Sequence, residues 1–293
     1  MEDYLTVAAA AATGVQVGAA IVASRYVMDR IDPASLAMVR YAIGFLCLLP
    51  PLLLTARTRF ARRDIWPIAV LGMARFGGTV GLLNIGLQTV PSARAALIFA
   101  LFPLLTMLIG AALGRERVTR PKTIGVLLTV AGVGFVIGEK AFGGGTDWTG
   151  ELFVFASAFV GAACSVFYRP YLHKYPTLPV GALAMAASVA FLAVFAAGEG
   201  FFSVWPRLPL DAWMVILFIG ISSGIGYFLW LWALGRTSAT RVTVFLALSP
   251  LTAAALGALL LQEAITSIML IGFALVAAGL WVALRQRAVA PVT

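Results

Sequence analysis

An all-α membrane protein, with ten transmembrane helices arranged as two inverted five-helix repeats, is the fold class that this sequence predicts. Three observations point there: an extreme apolar composition, ten apolar runs of membrane-spanning length, and a self-similarity at an offset of half the chain. Of 293 residues, 61% are hydrophobic and only 11% charged, and the mean hydropathy of +0.99 lies far outside the makeup of a soluble domain. The repeat needs no gap. Asp64, Trp66, Arg94, Pro103, Glu116, Gly125 and Gly132 recur 147 residues later as Asp211, Trp213, Arg241, Pro250, Glu263, Gly272 and Gly279. Matched Ala and Leu mean little at this composition, but Trp, Arg, Pro and Glu in one register carry weight. Five spans per unit start the second copy on the opposite side of the bilayer, which inverts it.

The first unit, residues 1–142, holds apolar runs at Leu5–Val27, Ala34–Thr55, Ile65–Gln88, Pro91–Leu113 and Pro121–Gly138. Each is long enough to cross a hydrocarbon core of ~30 Å as a helix. The start, Met1-Glu2-Asp3-Tyr4, lacks the basic leader of a cleavable signal, so the first run is expected to stay as a transmembrane helix. Residues 143–148, with Gly143-Gly144-Gly145, read as an outer linker. The second unit, residues 149–293, holds Gly150–Tyr168, Val180–Gly198, Asp211–Gly235, Ala239–Leu261 and Ser267–Leu284. The short connections leave no room for a soluble catalytic domain.

A net charge of +9 invites a nucleic-acid reading, and its distribution answers it. With both termini inside, the cytoplasmic segments hold Arg57, Arg59, Arg62, Arg63, Arg115, Arg117, Arg120, Lys122, Arg169, Lys174, Arg236, Arg241, Arg285 and Arg287. The outer segments hold Arg25, Arg30, Arg94, Lys140 and Arg207. This bias orients a membrane protein with cytoplasmic termini; no nucleic-acid partner is required. Cys47 and Cys164 fall inside spans and do not correspond across the repeat, so neither a disulfide nor a metal site is expected.

The repeated residues also resemble a known family. Each half has a mid-span Pro and a later Glu after small residues: Pro103…Ala111-Ala112-Leu113-Gly114-Arg115-Glu116 and Pro250…Ala258-Leu259-Leu260-Leu261-Gln262-Glu263. Each then has a Gly nine residues on and another seven further. Pro33…Arg40 and Asn84-Ile85-Gly86-Leu87…Ala93 complete the pattern. Nearly the whole chain resembles the EamA family of the drug/metabolite transporter superfamily. The resemblance implies a ten-helix inner-membrane carrier without a cofactor, often an exporter of amino acids or other small metabolites. It also implies a central cavity lined by the first four helices of each repeat. Arg40 corresponds to Ala187 and Asn84 to Leu231, so the two halves do not share all roles.

Ionisable groups at bilayer depth are functional hypotheses by default. Arg75 sits midway along the third span and Arg40 about two turns into the second, while all twelve acidic residues lie at termini, in loops or near span ends. Arg75 therefore lacks a carboxylate at its own depth. It either holds the acidic group of a substrate, which a guanidinium fork matches bidentately, or caps carbonyls freed near Gly77-Gly78. Arg40 is either a substrate contact or an ion-pair partner of Asp29 or Asp32. Thr79 shares the helix face of Arg75, whereas Asn84 points away unless the Gly pair distorts the helix; without that break it reads as an interhelical hydrogen bond.

Gln16, at the midpoint of the first span, is a ligand contact or a helix–helix bond. Among the eighth-span aromatics Tyr227, Phe228, Trp230 and Trp232, Trp230 is the favoured cavity wall. Phe99, Pro103, Phe245 and Pro250 are gating or packing candidates. Gly220-Ile221-Ser222-Ser223-Gly224 spells a hydrolase elbow, but the only histidine, His173, lies in a loop, so no base is at hand and an enzyme is disfavoured. Ser222, the repeat mate of Arg75, is a cavity candidate instead. Since no carboxylate lies at midplane depth, the expected substrate is a zwitterionic or acidic small molecule, amino acids first, moved by alternating access. A small multidrug efflux carrier and a channel are the other readings. The partners are a small-molecule substrate and the lipid bilayer; monomer and homodimer both stay open.

Overall fold

In lipid every backbone N–H and C=O must be satisfied within the chain, which leaves helices or closed barrels. The protein takes the first route. The computed structural model describes residues 2–54, 58–115, 119–142, 147–203, 208–237, 242–243 and 245–284, and these contain helices and no strands. The first half supplies α1 (Glu2–Val27) and α2 (Pro33–Leu54), then α3 (Arg62–Leu87) and α4 (Ser92–Ala112), and α5 (Arg120–Phe142). The second half supplies α6 (Thr149–Lys174), α7 (Thr177–Gly198), α8 (Leu210–Leu234), α9 (Ser249–Leu260) and α10 (Ser267–Leu284). Seven of these, α1–α4 and α6–α8, are long and apolar enough to cross a membrane; the shorter apolar stretches Thr123–Phe135, Ser249–Leu260 and Ser267–Gly279 lie in α5, α9 and α10. Leu46, Leu108, Leu127, Phe159, Val194, Leu217 and Leu259 are exposed around the outside. Such a surface belongs in lipid, and the protein is a multi-pass membrane protein.

Three expected spans depart from regular helix. Met73–Gly78, in the middle of α3, is a π turn between the α-helical pieces Arg62–Gly72 and Thr79–Leu87. A π turn inserts a residue and re-aims the side chains on it. In α4 the helix stops at Phe99 and resumes at Phe102, with Pro103 in the new first turn. Proline has no N–H to offer the carbonyl four residues back, and its ring crowds it. The ninth span enters through a 3₁₀ turn at Phe245–Leu248, and Pro250 again sits in the first turn of the helix that follows. Glu116, Arg241 and the linker glycines Gly143, Gly144 and Gly145 lie outside the described residues.

Glycine decides the closest crossings. A Cβ on Gly132 would lie 2.7 Å from the Gly272 carbonyl oxygen, and one on Gly279 would collide with the Gly125 carbonyl. One index rises as the other falls, so α5 and α10 run antiparallel. The two contacts also exchange when 147 is added to one partner and subtracted from the other. A second pair behaves alike: Gly44 meets Gly224, and Gly77 meets Phe191. The helix ends add a third. Asp64, opening α3, accepts hydrogen bonds from Lys174 and from Tyr175 Oη, the latter at 2.6 Å, at the end of α6. Asp211, opening α8, accepts from Tyr26 Oη and Arg30 Nη1, each at 2.7 Å, at the end of α1. That bond raises the pKa of the Arg30 guanidinium above its ordinary value.

Second-half carboxylates also cap first-half helices, where orphan N–H groups favour an anion. Glu199 accepts from the Ala34 and Ser35 amides at 2.9 and 2.7 Å, and from the Ser35 hydroxyl. Glu263 accepts from the Ser92 amide at 3.0 Å and from the Ser92 hydroxyl. The main core lies between the halves, around Tyr41, Phe76, Tyr168, Met185 and Trp230.

Candidate functional site

The interior cavity is a narrow space of about 60 Å³, room for about four waters. From α1 it is lined by Thr13, Gln16, Val17, Ala20 and Ile21; from α2 by Arg40 and Tyr41; from α4 by Phe99. From α3 come Arg75, Phe76, Thr79, Val80 and Leu83, and from α8 Ser223, Gly226, Tyr227 and Trp230. The second half thus contributes one helix to the lining and the first half four, a lopsided version of the cavity that the family resemblance implies.

Arg75 sits on the π turn of α3. Its guanidinium lies 4.5 Å from the Trp230 ring centroid and 5.3 Å from that of Phe102. A cation between two aromatic faces gains from both ring quadrupoles. The break in α4 before Pro103 places Phe99 on the cavity and Phe102 on the guanidinium, their centroids 5.3 Å apart. Room for the arrangement comes from Gly161 of α6, where a Cβ would sit 2.7 Å from Arg75 Nη1 and strike the Phe102 ring. The Arg75 Nη1 atom is buried with no hydrogen-bond partner, as is Trp230 Nε1. Among the described residues no carboxylate forms an ion pair with Arg75 or Arg40.

Arg40 is 7% exposed and donates through Nε to Ser223 Oγ at 2.7 Å. Neither acid considered from the sequence holds it; Asp29 instead lies 3.9 Å from Arg25. Thr79 is buried on the cavity wall, with its hydroxyl turned to the Ala74 carbonyl at 3.5 Å. Gln16 Nε2 donates to Ser222 Oγ at 3.4 Å. Ser222 is itself half-buried, and its neighbour Ser223 is the serine on the cavity. Phe245 is half-buried beside the Gly14 backbone, away from the lining, and Pro103 and Pro250 are buried at the helix breaks. Asn84 bridges two helices through Nδ2 to the Pro33 carbonyl at 3.0 Å. Trp232 is half-buried against the main core, with the Arg236 guanidinium 3.9 Å from its ring centroid.

The sequence reading passed over Tyr41 and Ser223 as lining residues and Phe102 as a ring on Arg75, and left Tyr227 unassigned within its cluster. A signal existed for two of them: Ser223 and Tyr227 lie seven and three residues before Trp230, on one helix face. Among the described residues no group of three metal-ligating side chains occurs.

The sequence model of the EamA-like transporter family matches residues 4–138 and again 148–285. A transporter of Archaeoglobus fulgidus is 27% identical over 282 residues, 92% of this chain and 95% of that one. A probable terminal-alkyne amino-acid exporter of Streptantibioticus cattleyicolor is 29% identical over 227 residues, 76% and 74% of the two chains. A protein crystal structure superposes with TM-score 0.74 at 24% identity over 96% of each chain, a likeness of fold. With both halves matched by one family and relatives of nearly full length, this chain belongs to the EamA-like transporter family.

Proposed function

We propose that this transporter exports small zwitterionic or acidic metabolites, amino acids foremost, across the inner membrane by alternating access. One observation carries the reading: a guanidinium in the interior cavity presents a buried N–H with no acceptor. A buried donor is satisfied in nearly every folded protein, and a substrate carboxylate supplies the acceptors that Arg75 lacks. The exporter from Streptantibioticus cattleyicolor, by its name, moves such a carboxylate-bearing solute. Gln16, Arg40, Thr79 and Trp230 complete the proposed substrate contacts, with Ser222 behind Gln16 as its hydrogen-bond acceptor, and Phe99, Pro103, Phe245 and Pro250 are the gating and packing positions.

The same proposal takes residues 1–142 and 149–293 as two inverted five-helix units joined by residues 143–148, with both termini cytoplasmic. The exchangeable glycine contacts support this, as does the cavity register. Phe76, Thr79, Val80 and Leu83 of α3 face Ser223, Gly226, Tyr227 and Trp230 of α8, each pair exactly one repeat apart. Rocking the units against each other opens one face at a time, with Asp211 tying the outer side and Asp64 the inner.

Counterflow in proteoliposomes tests the reading, using labelled amino acids, cationic dyes and phosphorylated metabolites. Saturable counterflow of carboxylate-bearing solutes that is lost in Arg75→Ala is expected. Parent-rate flux in that variant, or preference for cationic dyes, would remove the charge argument, and unsaturable flux would make the protein a channel.

A further inference from the structure

Arg40 and Arg75 both line the cavity, and among the described residues no Asp or Glu does. Of its unsatisfied atoms, Arg75 Nη1 and Trp230 Nε1 can only donate, while the neutral Tyr227 hydroxyl can donate or accept. The other hydroxyls add little for a cation to bind. Thr13 Oγ1 donates to the Ala9 carbonyl at 2.8 Å, and Ser223 donates to Ile219 while accepting from Arg40.

We infer that this cavity selects a compact solute carrying two acid groups, one held by Arg75 beside Trp230 and one by Arg40 beside Ser223. The inference rests on the reading of this cavity as the substrate site and narrows its substrate class. A solute with one carboxylate neutralises one guanidinium and leaves the other uncompensated in a desolvated space, the costly arrangement for a buried charge. Within the amino-acid class, the same demand is met when the side chain carries a second acid. Two acids match the two forks with acceptor-only groups. Because Arg40 and Arg75 sit on different helices, α2 and α3, a solute gripping both also ties these helices together.

The test measures equilibrium binding to the purified full chain in detergent with three probes: succinate, butyrate and leucine. Succinate is expected to bind at least about tenfold tighter than either single-acid probe. Arg40→Gln is expected to weaken succinate by about tenfold or more relative to butyrate, and Arg40→Lys, which keeps the charge, to restore part of that preference. Leucine or butyrate binding as tightly as succinate would overturn the inference. So would an Arg40→Gln variant that weakens all three probes equally. Counterflow with the same probes separates the two readings. Succinate binding without flux of any probe supports the two-acid site and defeats the transport reading; leucine flux without succinate binding does the reverse.

Discussion

The two halves of the chain agree where they hold the scaffold together and differ where they meet the cavity. Gly125 and Gly132 recur as Gly272 and Gly279 and seal one crossing; Asp64 recurs as Asp211 and ties one helix end at each side. The lining shares no such identity. Gln16, Arg40, Tyr41 and Arg75 correspond to Ala163, Ala187, Ser188 and Ser222, while Tyr227 and Trp230 correspond to Val80 and Leu83. The first half brings both cations with Tyr41, Phe76 and Phe99, and the second brings Tyr227 and Trp230. The α5–α10 crossing tolerates only the smallest residue on both sides, so both copies keep glycine there, whereas Gly44 at the α2–α8 crossing has Phe191 as its counterpart. Side chains aimed into a cavity have no such steric duty, and one polar set is enough to define a ligand.

The most severe test replaces the shared glycines. Gly132→Leu and Gly279→Leu each force a side chain into an opposing backbone, and each should cost about 3 kcal/mol or more. Thermal unfolding in detergent should show losses of similar size for the two, because the contacts are equivalents; a large loss in one alone would show that the halves pack differently. Next comes Arg75→Ser, which gives the first half the residue of the second. Losing a charge-assisted contact worth about 1.5–3 kcal/mol should lower kcat/KM in counterflow by about 10–150-fold, with little change in unfolding temperature.

A smaller effect is expected from Asp64→Asn and Asp211→Asn. Each leaves a tie without its charge, exposed at Asp211 and buried at Asp64, so salt should matter less to the variants than to the parent, most visibly at Asp211. Cysteine labelling from the two sides of oriented vesicles should change in opposite senses, Asp211→Asn favouring outer access and Asp64→Asn inner access. Parallel changes would mean that the two ties act together. Smallest of all is Ser222→Ala. The Gln16 bond at 3.4 Å is long, so its loss should cost under about 1 kcal/mol and leave counterflow near the parent rate.

Most of the helical layout was legible because apolar runs and charged connections mark it directly. The irregular turns were not. Gly77-Gly78 hinted at a distortion in α3, but nothing in the composition says that it becomes a π turn starting at Met73. Pro103 and Pro250 marked the places of two further departures without saying which helical form precedes each. In the cavity, Gln16, Arg40, Arg75, Thr79, Phe99 and Trp230 come together as side chains of the right type at the right depth. Ser222 shows the limit of counting repeats. It holds the register of Arg75, on the flank of the facing stripe, where a long side chain reaches the cavity and a serine does not. Ser223 was hidden because its meaning depends on Arg40, a partner 183 residues away.

Gly161 offers a last lesson, from an atom that is not there. Its bare Cα lies against Phe102 and Arg75, where any Cβ would intrude. A single methyl would force Phe102 or the Arg75 guanidinium to shift, with every charge and hydrogen-bonding group of the cavity still encoded. Chemistry in this cavity is thus specified partly by omission, and a search for binding residues that weighs only functional groups would pass over the position that makes space for them.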